Sequence, residues 1–541
     1  MKEKIFHKKT AFESNTYYKV DEKVLNYYKE ETISLDNIEY FCSTTRYSNT
    51  HDTAIYINDK ENIVLDFNGS TLYLNGALTP IIIANSKNIE IKNVVVKYDR
   101  SFNTEMTLIE KGKDYIKVKV DSRFPYEIND GKFIPKSKYW KDKTLHKTYI
   151  FLQEFDPITR EGLSWPVVLI GDKEKDKCEL PWGDSACSML AYQEGKYVVF
   201  KGKNIPPYKV GSTLILCMNN RDIANLTIFN CENIKVTNYR IVNGLGMGIL
   251  PIYTKNLTID GLKMFYDDIS CGIISNTADG IHAVALKGDL IIKNSIITGT
   301  IDDAINIHSN YYAFDSIKDN ELTAICLGQS DAFKIFDVND AIAIYNGHTL
   351  EKIDEAKILK IQQNNNKYVF TLNKKVKEVS KGSLIENLST NPNIYITNCE
   401  FGKANTHLRF QSRGKIVVEN CKTEMDLLFT GDTNFWYEAS PVENVLIQNT
   451  KFIMNKSGVV SIPEFKSTNV EPYYHKNITI KNCEFSCNKV LYIRYTDNIN
   501  FYDCTNKENK KFDIYLDNSG TFNTNLDVNV IRATTKAQRD E

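Results

Sequence analysis

NIYITNCEF (Asn393–Phe401) and, 22 residues on, KIVVENCKT (Lys415–Thr423) are two copies of one unit, and that unit decides the fold. Its form is Asn-Ile-x-Ile-x-Asn-x-x-Φ, with Φ apolar. Further copies are NIVLDF from Asn62, NIEIKNVVV from Asn88, NIKVTNYRI from Asn233, NLTIDGLKM from Asn256 and DLIIKNSII from Asp289. NVLIQNTKF from Asn444, NITIKNCEF from Asn477 and NINFYDCTN from Asn498 complete the series. Asn233 to Asn256 is 23 residues and Asn477 to Asn498 is 21, so several successive starts differ by about one short turn of chain. The two Ile alternate with polar residues, the period of a strand with one buried face. The next buried pair, for example Cys483 and Phe485, is out of phase with them. A turn at the intervening Asn, which tolerates left-handed backbone, accounts for the change. No single unit can bury its own face, so copies must stack in parallel, about 4.8 Å apart. The expected fold is all-β, a right-handed parallel β-helix. A β-sandwich would need regular hairpin signals such as Asn-Gly, and these are scarce.

Two stretches interrupt the repeat, each too long for a structureless loop. Both close on similar text, GKYVVFKGKNIPPYKVGSTLIL from Gly195 and NKYVFTLNKKVKEVSKGSLIEN from Asn366. Short alternating strands with Gly and Asp-Asn breaks predict two small antiparallel β-barrels spliced between rungs. The expected order is an N-terminal cap (1–60), first rungs (61–100), barrel 1 (101–220) and rungs with the acidic cluster (221–312). Barrel 2 (313–390) and C-terminal rungs with a cap (391–541) follow.

Composition narrows the function. Lys+Arg 67 against Asp+Glu 68 gives a net charge of −1 with no basic stripe, so nucleic acid is not an expected partner. A neutral substrate suits this balance better than a polyanion. Twelve Cys form no CxxC pair, and Cys399, Cys421, Cys483 and Cys504 recur after the corner Asn or Asp, as small core residues do. No metal ligation and no cofactor are expected. No apolar run is long enough to span a membrane. The opening MKEKIFHKKTAFESN lacks the apolar run of a signal peptide, so the chain as given is expected in the cytoplasm. A trimmed leader would place it in the periplasm or outside. A homo-oligomer is left open.

The chemistry concentrates in NTADGIHAVALKGDLIIKNSIITGTIDDAINIHSNYY, Asn276–Tyr312. Asp279 precedes Asp302 by 23 residues and Asp303 by 24, one rung in either case. Aligning GMGI (Gly246–Ile249), ADGI (Ala278–Ile281) and DDAI (Asp302–Ile305) puts Met247, Asp279 and Asp303 in one column, with Asp302 one step aside. Exposed Asp commonly caps turns, but three acids one rung apart in an otherwise buried segment fit an acid and a base. Glycoside cleavage needs a protonated carboxyl at the leaving oxygen and a carboxylate acting on water or on the sugar carbon. Asp279 serves as the first, and Asp302 with Asp303 together hold one water. Carboxyls roughly 5–10 Å apart span both the retaining and the inverting geometry. His282, Asn306 and His308 are candidates for binding hydroxyls or orienting the acids. Trp436 beside Glu438 is a candidate sugar platform, with Asp432 a further candidate of the same kind and Glu464, in SIPEF, another.

These residues resemble glycoside hydrolase family 110, the inverting α-1,3-galactosidases that remove terminal galactose, including that of blood group B. NIVLDFNGSTL, NSKNIEIKNVVVKYDR, GLGMGI and GDTNFWYEASPVENVLIQN add to the likeness, which runs from about residue 60 to 490. It implies Asp279 as general acid and Asp302 and Asp303 as general base. It also favours substrate binding at Trp436 and Glu438, and a glycan with terminal α-galactose, branched or linear, as substrate. Two readings compete. A polygalacturonase-like pectin hydrolase shares the Asp motifs but needs Gly-His-Gly and Arg-Ile-Lys, absent after Asp303. A non-catalytic carbohydrate-binding β-helix leaves the acids unexplained.

Overall fold

The structure is a computed structural model, and it describes residues 1–28, 53–76, 78–101, 103–137, 150–164, 167–170, 177–179, 185–218, 223–265, 272–327, 335–364, 367–377, 379–402, 407–433, 436–453, 458–463, 473–487 and 489–532. Every regular element among them is a strand. The repeat units stack in register as one long parallel sheet. Its ladder runs from Glu61–Asp66 through Lys87–Tyr98, Glu232–Ile241, Lys255–Asp260, Lys287–Lys293, Asn393–Thr397 and Lys415–Glu419. It continues through Asn444–Gln448 and His475–Lys481 to Thr496–Tyr502. A second parallel ladder carries the strands between units: Thr53–Asn58, Thr79–Ala84, Leu226–Phe229, Ile249–Ile252, Ile281–Val284, Ile305–Lys318, Leu408–Phe410 and Leu427–Phe429. The chain therefore coils as a parallel β-helix around one continuous apolar core.

The asparagines that mark the repeat do two jobs. The leading Asn62, Asn88, Asn233, Asn256, Asn477 and Asn498 have φ of 54–59°, and the corner residues Asn398, Asn420, Asn482 and Asp503 have φ of 53–55°. Asn bears this left-handed backbone at less cost than most residues. The leading side chains also bond from rung to rung: Asn62 to Asn15 at 2.7 Å, Asn88 to Asn62 at 2.8 Å, Asn233 to Asn88 at 3.0 Å and Asn256 to Asn233 at 2.9 Å. Cys231, Cys399, Cys421, Cys483 and Cys504 are buried free thiols at the corners.

Both interruptions form barrels. In the second, Ile305–Lys318, Glu321–Cys326, Lys367–Leu372, Lys352–Asn364, Ala341–Tyr345 and Leu384–Asn387 pair antiparallel in a closed ring. Ile305–Lys318 belongs to helix and barrel at once, so the strand crosses position 312 without a break. In the first, Ile150–Phe155, Val167–Ile170, Ser185–Glu194, Tyr197–Gly202, Tyr115–Val120, Thr104–Lys111 and Thr213–Met218 close another ring. One pair departs from the antiparallel expectation: Val167–Ile170 runs parallel to Ser185–Glu194. The N-terminal stretch is more than a lid over an open end. Lys2–Phe6, Thr16–Val20 and Val24–Tyr28 are parallel strands that extend the helix ladder, and residues 29–52 lie outside the described residues.

Candidate active site

The register stacks the acids. Ile249 pairs with Ile281 and Ile281 with Ile305, so Met247, Asp279 and Asp303, each two residues earlier, stand in one column. Backbone bonds run up it, Gly248 N–H to the Asp279 carbonyl at 2.8 Å and Gly280 N–H to the Asp303 carbonyl at 2.9 Å. The small residues beside the acids are required by this stacking: a Cβ on Gly280 would lie 2.6 Å from the Ala304 carbonyl oxygen. Asn276 shapes the turn, its Nδ2 donating to the carbonyls of Ala278 (3.1 Å) and Asp279 (2.9 Å).

Asp279 and Asp303 are buried, 1% and 2% exposed, whereas Asp302 is partly exposed. The Asp303 N–H donates to Asp302 Oδ1 at 3.1 Å. Asp303 Oδ1 accepts from the His407 N–H at 3.1 Å, and its Oδ2 lies 3.0 Å from Arg409 Nε. Asn306 is in register with His282 below and Arg409 above, and all three point away from the core because their neighbours Ile281, Ile305, Ile307, Leu408 and Phe410 fill it.

The two histidines carry a proton inventory. His308 Nδ1 lies 2.7 Å from the Ser309 carbonyl oxygen, which only accepts, so this nitrogen is protonated. Burial pushes the His308 pKa below its ordinary value, leaving Nε2 as a lone pair at neutral pH. His282 Nε2, 3.2 Å away, must then donate to it. His282 Nδ1 meets Asp279 Oδ2 across one hydrogen bond, and that bond holds a single proton, on the imidazole or on the carboxyl.

Glu438 sits at the centre of the polar face. Asn306 Nδ2 reaches its Oε1 at 3.4 Å and Gln411 Nε2 its Oε2 at 2.9 Å; His308 Nε2 is 3.6 Å away and Arg409 Nη1 3.8 Å. Burial alone would raise its pKa, but His308, Arg409, His282 and the Gln411 bond outweigh it and hold the carboxyl down at about 2. The histidine charges act at the acid pH where Glu438 titrates; at neutral pH, where burial keeps His308 neutral, Arg409 supplies the compensating charge. Glu438–Ala439 reaches this place by pairing antiparallel with Ser309–Asn310. Asp432 has a different position: its carboxylate ties its own loop, accepting from the N–H groups of Trp436 and Tyr437. Trp436 is partly exposed in that loop, and Glu464 lies outside the described residues.

Sequence reading missed Arg409 and Gln411. The signal was present, since Gly-Ile-His, Ala-Ile-Asn and His-Leu-Arg are the same column read at 280–282, 304–306 and 407–409. The intervening barrel hides it. Among the described residues no cluster of His, Cys, Asp and Glu is arranged to hold a metal ion.

No family model matches the chain. It is similar to alpha-1,3-galactosidase B of Bacteroides thetaiotaomicron, 25% identical over 83% of this chain and 73% of that protein. Alpha-1,3-galactosidase A of Shewanella woodyi is 25% identical over 83% and 74%, and that of Bacteroides fragilis 26% identical over 88% and 78%. Among solved structures, the surface protein and adhesin PfbA of Streptococcus pneumoniae aligns with TM-score 0.32 and 9% identity, covering 90% of this chain and 88% of that one.

Proposed function

We propose that the chain is an exo-acting glycoside hydrolase that releases terminal α-1,3-linked galactose from glycans by single-displacement inversion. The observation that carries this reading is the column itself: a buried carboxyl sharing a proton with an imidazole, stacked one rung from a second buried carboxyl beside a more open one. The similarity to proteins named alpha-1,3-galactosidases along 83–88% of the chain supports the sugar and the linkage. In the reaction Asp279 gives its proton to the glycosidic oxygen as the bond from that oxygen to the anomeric carbon breaks. A water held by Asp302 and Asp303 attacks that carbon from the opposite face and loses its proton to the pair, which yields β-galactose. His282, hydrogen-bonded to Asp279 through Nδ1, can return a proton to the acid after each turnover. Arg409, which faces Asp303 and Glu438, is already matched by two carboxylates, and this favours a neutral sugar over a uronate.

An NMR time course on a terminal α-1,3-galactoside tests the reading. β-Galactose should appear first and mutarotate later; α-galactose appearing first excludes inversion. Asp279→Asn and Asp303→Asn should each lower kcat by about 10³-fold or more with folding intact, within the range of lost acid–base catalysis. Wild-type rates in both variants would remove the catalytic assignment.

A further inference from the structure

We infer that Gln411 and Asn306 are the hydroxyl-reading residues of the galactose site, oriented for that task by Glu438. This rests on the function proposed above. Both side chains are buried, Gln411 at 1% and Asn306 at 4% exposure. Each gives its amide N–H to a different oxygen of Glu438. An ionised carboxylate only accepts, so neither amide can be turned over, and both amide oxygens face the other way. Gln411 Oε1 and Asn306 Oδ1 are buried and have no hydrogen-bond partner among the described residues. Buried acceptors are almost always satisfied, so two orphaned oxygens anchored to one carboxylate, on the face that carries the acids, call for donors from a ligand.

The chemistry of those donors is specific. Two neutral acceptors beside an anionic Glu438 suit sugar hydroxyls, which donate, and disfavour a carboxylate or phosphate, which would set acceptor against acceptor. Glu438 is thereby a positioning residue whose protein donors occupy it, and Gln411 and Asn306 are the groups that touch the sugar. A polar site of this kind rejects an analogue lacking the matching hydroxyl, because its own buried group is left unpaired.

The test measures kcat/KM of the full chain on an α-1,3-galactosyl disaccharide and on its 2-, 3-, 4- and 6-deoxygalactosyl forms, for wild type and for Gln411→Met. In the wild type, removal of at least two hydroxyls should each cost about 10-fold or more. In Gln411→Met one of those losses should shrink to within about 2-fold, because the partner is already gone. A variant slower by the same factor on all five substrates overturns the inference while leaving the hydrolase assignment in place. Should Gln411→Met fail to fold, the wild-type series still decides, since fewer than two hydroxyls that matter overturns the inference. A wild-type protein that cleaves no α-galactoside overturns the proposed function, and the hydroxyl-reading role falls with it.

Discussion

At the scale of single residues, the site depends on proton placement more than on charge. His308 is neutral because it is buried, and its protonated Nδ1 is fixed by the Ser309 carbonyl. That leaves His282 to donate through Nε2 and to share the remaining proton with Asp279. The consequence is measurable, because general-acid help matters in proportion to how poor the leaving group is. His282→Ala should lower kcat/KM on an α-1,3-galactosyl disaccharide by about 10²-fold or more, but by less than about 10-fold on a dinitrophenyl galactoside, whose leaving group needs no proton. Equal losses on both would show that His282 holds shape only. The three Asp and both His were legible because they sit in consecutive rungs, where counting residues is counting distance. Arg409 and Gln411 were not, because the barrel between Asn306 and Arg409 breaks that count. Asp432 and Glu438 show another limit: residue type gave two acids near an aromatic, while their hydrogen-bond partners decide what each can do.

At the scale of elements, the strand Ile305–Lys318 joins the site to barrel 2, and an ion pair to a fully buried carboxylate fixes how they meet. Arg413, on the helix, holds Glu386 of the barrel strand Leu384–Asn387 through Nε at 3.0 Å and Nη2 at 2.8 Å. The same guanidinium reaches Glu443 at 2.7 Å and the Tyr345 hydroxyl at 2.7 Å. Ser440, two residues after Glu438, donates to Glu386 at 2.7 Å, so the loop that delivers Glu438 hangs from this pair. Glu386 is fully buried, and removing one partner strands the other charge. Arg413→Met should cost about 3–5 kcal/mol in denaturant unfolding, and Arg413→Met with Glu386→Gln distinctly less. A double variant no more stable than the single one would show that the pair is not what holds the junction. None of this was readable in the sequence, where Arg413 follows the strand Leu408–Phe410 and Glu386 lies in the insertion. The repeat strands were readable because period-2 burial and a left-handed Asn corner recur in every unit.

At the scale of the molecule, both barrels press on the acid-bearing turns. Ile273, Ile274 and Ile301, which precede Asp279 and Asp302, pack with Phe155, Ile215 and Cys217 of barrel 1 in one apolar joint. Asn103 donates to Thr277 at 3.2 Å, and the Glu105 carboxylate accepts the Ile273 N–H. The repeat told where the barrels are inserted, and its count put the start of barrel 2, directly after Tyr312, beside the acids; it said nothing of the face barrel 1 would cover, because that depends on contacts between segments distant in sequence. Glu105 makes the joint sensitive to pH. Burial raises its pKa to about 7, against the opposing pull of the Ile273 N–H and of Arg123, 3.6 Å away. A carboxyl whose folded pKa lies above its unfolded value contributes stability in full below about pH 4.5 and loses it as pH rises through about 7. The difference is worth about 3 kcal/mol at most, at 1.36 kcal/mol per unit. Glu105→Gln keeps an oxygen for the Ile273 N–H and removes the charge. It should therefore raise the unfolding temperature at pH 8 and leave it little changed near pH 5, so that the two pH profiles converge on the acid side. Profiles that stay parallel from pH 5 to 8 would place the titration elsewhere.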